Sequence, residues 1–280
     1  NTNGKYEKKI ISKFFSYGFP LTGLFIFDYI LTFSDRLLIG HYLGSDMVGM
    51  YGANYDLIKM MVLFGMIIQG YIIYPELNKT FEKNDLNEVK KLMTFNFNIF
   101  ITVFLPLCVF ILYFNNSISD IFIGKKFTIM SSELIPLFSM MFLFWGLKIH
   151  HFDYIFQLSE KTSLSMYILF FGSFINLLLN IFLIPRLELL GAAYATFISY
   201  VIILLISLLI SRKLLKVAID MKILIKAGLF LAISLVISIV FSRFGFNDFI
   251  SMAIFISCYG VLSFKYNYKD LRPYFIKFYY

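Results

Sequence analysis

The chain has 280 residues, of which 59% are hydrophobic, 20% aromatic and only 15% charged. An ordinary soluble domain carries about 25% charged residues, so a soluble enzyme is excluded and an all-α integral membrane protein is expected. The formal net charge of +8 does not indicate a nucleic-acid partner, because the basic residues fall between apolar runs instead of along one face.

A membrane-spanning helix needs about 20 mostly apolar residues. About eight such spans are predicted, at Phe19–Ile39, Val48–Tyr74, Leu92–Phe114, Leu134–Leu158, Ser163–Ile184, Leu189–Ile210, Ile223–Phe241 and Phe249–Phe264. The connections are short and carry Pro, Gly, Asn or charge, as at Pro185, Gly191 and Gly245. The first two spans meet across a tight turn, His41 to Met47, that contains Gly44, Ser45 and Asp46. Between the second and third, Leu77–Lys91 reads either as an amphipathic helix lying at the interface or as a solvated connecting helix. The segment Asn115–Glu133 is the only sizeable loop on the opposite side, and it is too short for a catalytic domain.

Lysine and arginine set the expected topology, because cytoplasmic loops hold their excess. Eighteen of the 25 lie in one alternating set of connections, including Lys79, Lys83, Lys90, Lys91, Arg212 and Lys213. The opposite set holds four, Lys125, Lys126, Arg186 and Arg243. Both termini are therefore expected in the cytoplasm.

No catalytic constellation, Walker loop, HExxH or paired-cysteine motif is present in the sequence. Cys108 and Cys258 lie inside apolar runs without metal-ligand company, so neither a disulfide framework nor a metal site is expected, and no cofactor. The lysine-rich start precedes an apolar run without a small-residue cleavage site, which argues against a signal peptide.

Ionisable groups inside apolar spans cost roughly 2.5 to 3.5 kcal/mol each on insertion scales and usually face a cavity or a partner. Arg36, Lys59 and Lys148 are the intraspan cations. Asp56 stands three residues before Lys59 and is its expected local counter-ion, while Arg36 can reach external water. Lys148 has no carboxylate at helical spacing, which makes it the deepest and least explained charge. His150 and Asp153 share a face at i, i+3, as do Lys148 and His151, which suits interhelical hydrogen bonding or a hydrated cavity wall. Asp28, at mid-depth in the first span, is expected to pair with one of the cations or to take part in proton or sodium coupling, and Asp56, His151 and Asp153 share that class. Ser173, Asn176 and Asn180, the Gly191–Ser199 seam, and Ser234, Ser238 and Ser242 read as packing seams.

Two stretches carry a resemblance. Asp35–Tyr51, D-R-L-L-I-G-H-Y-L-G-S-D-M-V-G-M-Y, and Asn180–Thr196, N-I-F-L-I-P-R-L-E-L-L-G-A-A-Y-A-T, resemble the Wzx-type polysaccharide (O-antigen) flippases of the MOP exporter superfamily. In the second stretch Leu187–Leu189 stand where the family pattern has a glycine, and Gln157–Thr162 resembles the gap between the preceding helices. The resemblance implies the C-terminal lobe of a MOP/MATE-like two-lobe transporter over residues 1–215, two additional helices over residues 216–280, and an N-terminal lobe absent from the chain. It implies an undecaprenyl-diphosphate-linked oligosaccharide as cargo, moved across a bacterial inner membrane by alternating access for O-antigen, capsule or exopolysaccharide synthesis. Membrane lipids, the missing lobe and H+ or Na+ would be the partners. It also implies a cationic cavity, for which Arg36, Lys59 and Lys148 are the available residues. The competing expectations are a MATE-like cation-coupled drug antiporter, a membrane polysaccharide polymerase or glycosyltransferase, and a non-transporting scaffold lobe.

Overall fold

A computed structural model describes the backbone of residues 8–217 and 221–279, and the side chains of 18–217 and 221–265. The lysines at 5, 8, 9 and 13 and the basic tail beyond Lys265, both used for the expected topology, lie outside the described side chains. The described residues are helical throughout their regular structure: α1 (Lys8–Leu43), α2 (Ser45–Glu82), α3 (Leu86–Tyr113), α4 (Asn115–Phe122), a short 3₁₀ turn, α5 (Ser131–Leu147), a π turn (Lys148–Phe152), α6 (Asp153–Leu158), α7 (Thr162–Leu214), α8 (Met221–Arg243) and α9 (Asp248–Tyr279). This is an all-α integral membrane protein.

Six helical segments among the described residues are long and apolar enough to cross a membrane. Two departures from the eight expected spans have clear causes. The fifth and sixth are one 53-residue element, α7, bent where Glu188 leaves helical geometry at φ 51, ψ −129. The first falls short because Asp28, Asp35 and Arg36 dilute the described part of α1. Exposed Phe25, Phe64, Tyr71, Tyr167 and Phe244 leave an apolar outer surface, which hydrocarbon accepts and water would not.

The Leu77–Lys91 helix does not form as one piece. α2 continues unbroken to Glu82, Asn84 adopts φ 57, and the Asp85 carboxylate caps α3 by accepting from the Glu88 amide at 3.0 Å. An aspartate whose side chain competes for backbone amides starts a new helix more readily than it continues an old one. Leu77 and Val89 are instead buried together in a small cluster with Ile73, Met93, Tyr154 and Leu158.

The main core is aromatic. Tyr51 and Tyr55 of α2 meet Phe138 and Phe142 of α5 edge-to-face, with centroids 5.0 to 5.4 Å apart, the geometry aromatic quadrupoles favour. α1 packs along α7, and α2 against α3 and α5, while α8 and α9 pair with each other and lean on α3. Trp145 stacks on Tyr200 of α7 at 4.7 Å and 14°. Gly44 separates α1 from α2 at φ 89, a left-handed conformation that costs glycine little.

The bend in α7 depends on two residues. A Cβ on Gly191 would lie 2.3 Å from the Leu183 carbonyl oxygen, so the two arms of α7 touch there through backbone. Gly191→Ala is expected to destabilise the protein by about 1–3 kcal/mol, because backbone must move to admit the methyl. Glu188→Gly is expected to be neutral or to stabilise by about 1 kcal/mol, because it relieves a positive-φ residue that is not glycine. Thermal unfolding of the purified protein in detergent checks both. A melting temperature raised by Gly191→Ala would contradict the close approach.

Candidate functional site

Hairpin geometry places the ionisable residues of α1 and α2. Asp28 lies 16 residues before Gly44 and Lys59 lies 15 after it, so each sits about 23 Å from the turn along its own helix. Both line a cavity of about 280 Å³ bounded by Thr32 and Tyr55, by Trp145 and His150 from the rod of α5, π turn and α6, and by Tyr200 from α7. Asp28 Oδ1 is buried and accepts no hydrogen bond, and no ion pair joins Asp28 to a lysine among the described residues. The expected pairing of Asp28 with a cation is therefore corrected to proximity without contact.

Nor does Asp56 pair with Lys59. Its carboxylate takes the Arg36 guanidinium at 2.6 Å, across the hairpin. The guanidinium also lies 5.5 Å from the Phe33 ring and 5.4 Å from the Tyr55 ring, so Arg36 is held across the hairpin while its partner Asp56 stays exposed. Planar Arg binds carboxylate and aromatic faces together in a way that Lys does not. Lys59 is left with the Tyr55 ring, 5.8 Å away, and the cavity.

Lys148 has a carboxylate partner after all. Its ammonium donates to Asp153 at 2.8 Å, both groups buried, although the two are five residues apart. The π turn over Lys148–Phe152 supplies the explanation, since i, i+5 residues align where the backbone hydrogen bonds run i→i+5. Ser165 of α7 also donates to Asp153, and the Lys148 ammonium sits 5.1 Å from the Trp145 ring. The turn is supported from outside: Asn96 of α3 donates to the His150 carbonyl at 2.6 Å, and Gln69 of α2 donates to the Asn96 side chain at 2.7 Å. The same turn separates the face-sharing pairs expected of a regular helix. His150 reaches the Tyr154 hydroxyl at 3.1 Å, and His151 packs its ring on Phe97 with Nδ1 unpartnered.

A second buried acid, beside Arg36 at the end of the first span, has partners that the sequence does not indicate. Asp35 is wholly buried, with 0% exposure, and accepts from Tyr51 at 2.7 Å, Thr196 at 2.6 Å and Asn180 at 2.6 Å. Asn176 donates to Thr196 at 3.0 Å and accepts from Ser34 at 3.1 Å and from Asn180 at 3.1 Å. The Asn176 and Asn180 stripe is thus a hydrogen-bonded hub joining α1, α2 and both arms of α7, where the sequence suggests only packing. Its trace in the sequence is the spacing Asn176–Asn180, i, i+4 on an otherwise apolar helix.

Residues 2–132 match the family described as "Polysaccharide biosynthesis protein". The chain is 24% identical over 216 residues, or 75% of its length, to "Uncharacterized membrane protein MJ1068" of Methanocaldococcus jannaschii, covering 41% of that protein. It is 25% identical over 179 residues, or 62% of its length, to "Probable low-salt glycan biosynthesis flippase Agl15" of Haloferax volcanii, covering 36% of that protein. The chain thus spans about two fifths of the length of these curated relatives. The matches support a relationship to membrane proteins of polysaccharide biosynthesis, with a glycan flippase among them.

Proposed function

We propose that the chain forms part of a flippase that carries a lipid-linked oligosaccharide, of the undecaprenyl-diphosphate type, across a cytoplasmic membrane by alternating access, with both termini of this chain on the cytoplasmic side. It acts as a transporter and not as an enzyme, in the assembly of O-antigen, capsule or exopolysaccharide. The observation that carries the reading is Lys59, an ammonium without an ion pair beside an aromatic-lined cavity. Such a charge lowers the cost of taking a diphosphate through a medium of low dielectric. It also disfavours the cationic cargo of a drug antiporter. Arg36 and Lys148 already hold carboxylates, so among the three cations Lys59 is the one available to an anionic cargo.

The test is export in cells that depend on this protein. Lys59→Ala is expected to reduce glycan export by about tenfold or more at normal membrane abundance, the loss of roughly 1.4 kcal/mol or more of anion binding, while Lys59→Arg keeps most of it. The lipid-linked glycan should then accumulate on the cytoplasmic leaflet. Undiminished export by Lys59→Ala would remove the reading's support.

A further inference from the structure

The cavity beside α1 and α2 holds two groups of opposite sign that do not touch. The other buried acids near it are engaged: Asp35 accepts three hydrogen bonds, and Asp153 accepts from both Lys148 and Ser165. Asp56 is taken by Arg36. Asp28 differs, with an oxygen shielded from solvent and without a donor. Hairpin register puts it level with Lys59, so an ionised Asp28 acts on the ammonium from within the same cavity. A carboxylate left open beside an unpaired lysine is costly unless something else completes it, either a proton on the acid or an anion on the lysine.

We propose that Asp28 is a tethered, proton-controlled competitor for Lys59. Ionised, it neutralises the ammonium; protonated, it leaves the ammonium free for the phosphate oxygens of a carried lipid. This rests on the flippase reading and adds its regulation: one proton enters the cavity with the anion. The groups facing Asp28 are Thr32 from its own helix, Lys59 and Tyr55 from α2, Trp145 and His150 from the rod, and Tyr200 from α7. The charges of Lys148 and Asp153 also reach it, with opposite signs. His150 is the imidazole that lines the cavity, and its Nδ1 is hydrogen-bonded with the Tyr154 hydroxyl.

The 280-residue chain carries its own reporter, because its single tryptophan, Trp145, lines this cavity. The purified 280-residue chain is titrated with sulfate, whose charge is constant over the range, at about pH 5.5 and about pH 7.5 while Trp145 fluorescence is read. Wild-type protein is expected to bind sulfate about tenfold more tightly at the lower pH, equal to one pK unit of linkage. Asp28→Asn is expected to bind at the higher pH as tightly as wild type does at the lower, with its pH dependence gone. Lys59→Gln is expected to lose binding at both, with an unchanged thermal melt. A pH dependence that persists in Asp28→Asn places the titrating group elsewhere and overturns the proposal. So does a fluorescence that sulfate moves in no variant. Either failure is separable from the flippase reading, which stands or falls on glycan export.

Discussion

Asp153→Ala is expected to lower the amount of folded protein in the membrane severalfold, and Lys148→Met combined with Asp153→Leu is expected to restore most of it. The single change leaves a lysine that is 1% exposed without its counter-ion, and removes the acceptor of Ser165 as well. Breaking one side of a buried pair typically costs about 3–5 kcal/mol, whereas replacing both members with apolar side chains of similar size is often neutral. A cation kept for cargo predicts the opposite pattern: normal abundance with lost export in Lys148→Ala, and loss in the double variant. Membrane level and export are therefore measured together. Normal abundance of Asp153→Ala alone would refute the structural role assigned here to the pair.

The second large effect is at Asp35. Asp35→Ala strands two buried donors, Tyr51 and Thr196, and leaves Asn180 with only its bond to Asn176, in three different helical arms. Each stranded donor costs about 1–3 kcal/mol, so a destabilisation of about 3 kcal/mol or more is expected. Asp35→Asn is no remedy, because its amide nitrogen would face groups that also donate. Thr196→Val removes one donor to Asp35 and the acceptor of Asn176 but keeps the other two bonds to Asp35, and is expected to cost less, about 1–2 kcal/mol. Unfolding in detergent by heat or denaturant ranks the three variants. If Asp35→Ala is no less stable than Thr196→Val, the hub does not hold the arms together.

The membrane class and most of the spans were legible because twenty-residue apolar runs leave little freedom of interpretation. The pairing of charges was legible only in part. Asp56 stands three residues from Lys59, yet it joins Arg36, because the antiparallel hairpin and two aromatic rings outweigh spacing along one helix. Counting outward from Gly44 on both arms, a step the sequence permits, would have brought Asp28 and Lys59 level. Lys148 and Asp153 were missed for a different reason: a five-residue separation is out of phase in an α-helix and in phase only where the backbone widens. The partners of Asp35 were not legible because they lie 16, 145 and 161 residues away.

The widened turn at Lys148–Phe152 has a consequence for how this protein is compared with its relatives. A π turn amounts to one residue more than the surrounding helix requires, and that residue rotates everything after it by about 100° about the axis. Upstream, Phe138, Phe142 and Trp145 belong to the large aromatic cluster, whereas downstream Tyr154, Ile155 and Leu158 belong to the small one and only Phe156 turns back to the large one. A single rod thus presents two faces in two directions. A relative that shortened this segment by one position would keep the same residue types on both sides and still lose the match between them. Alignments across it should admit a one-residue gap between 148 and 152, and residue roles should be carried over separately on either side of it.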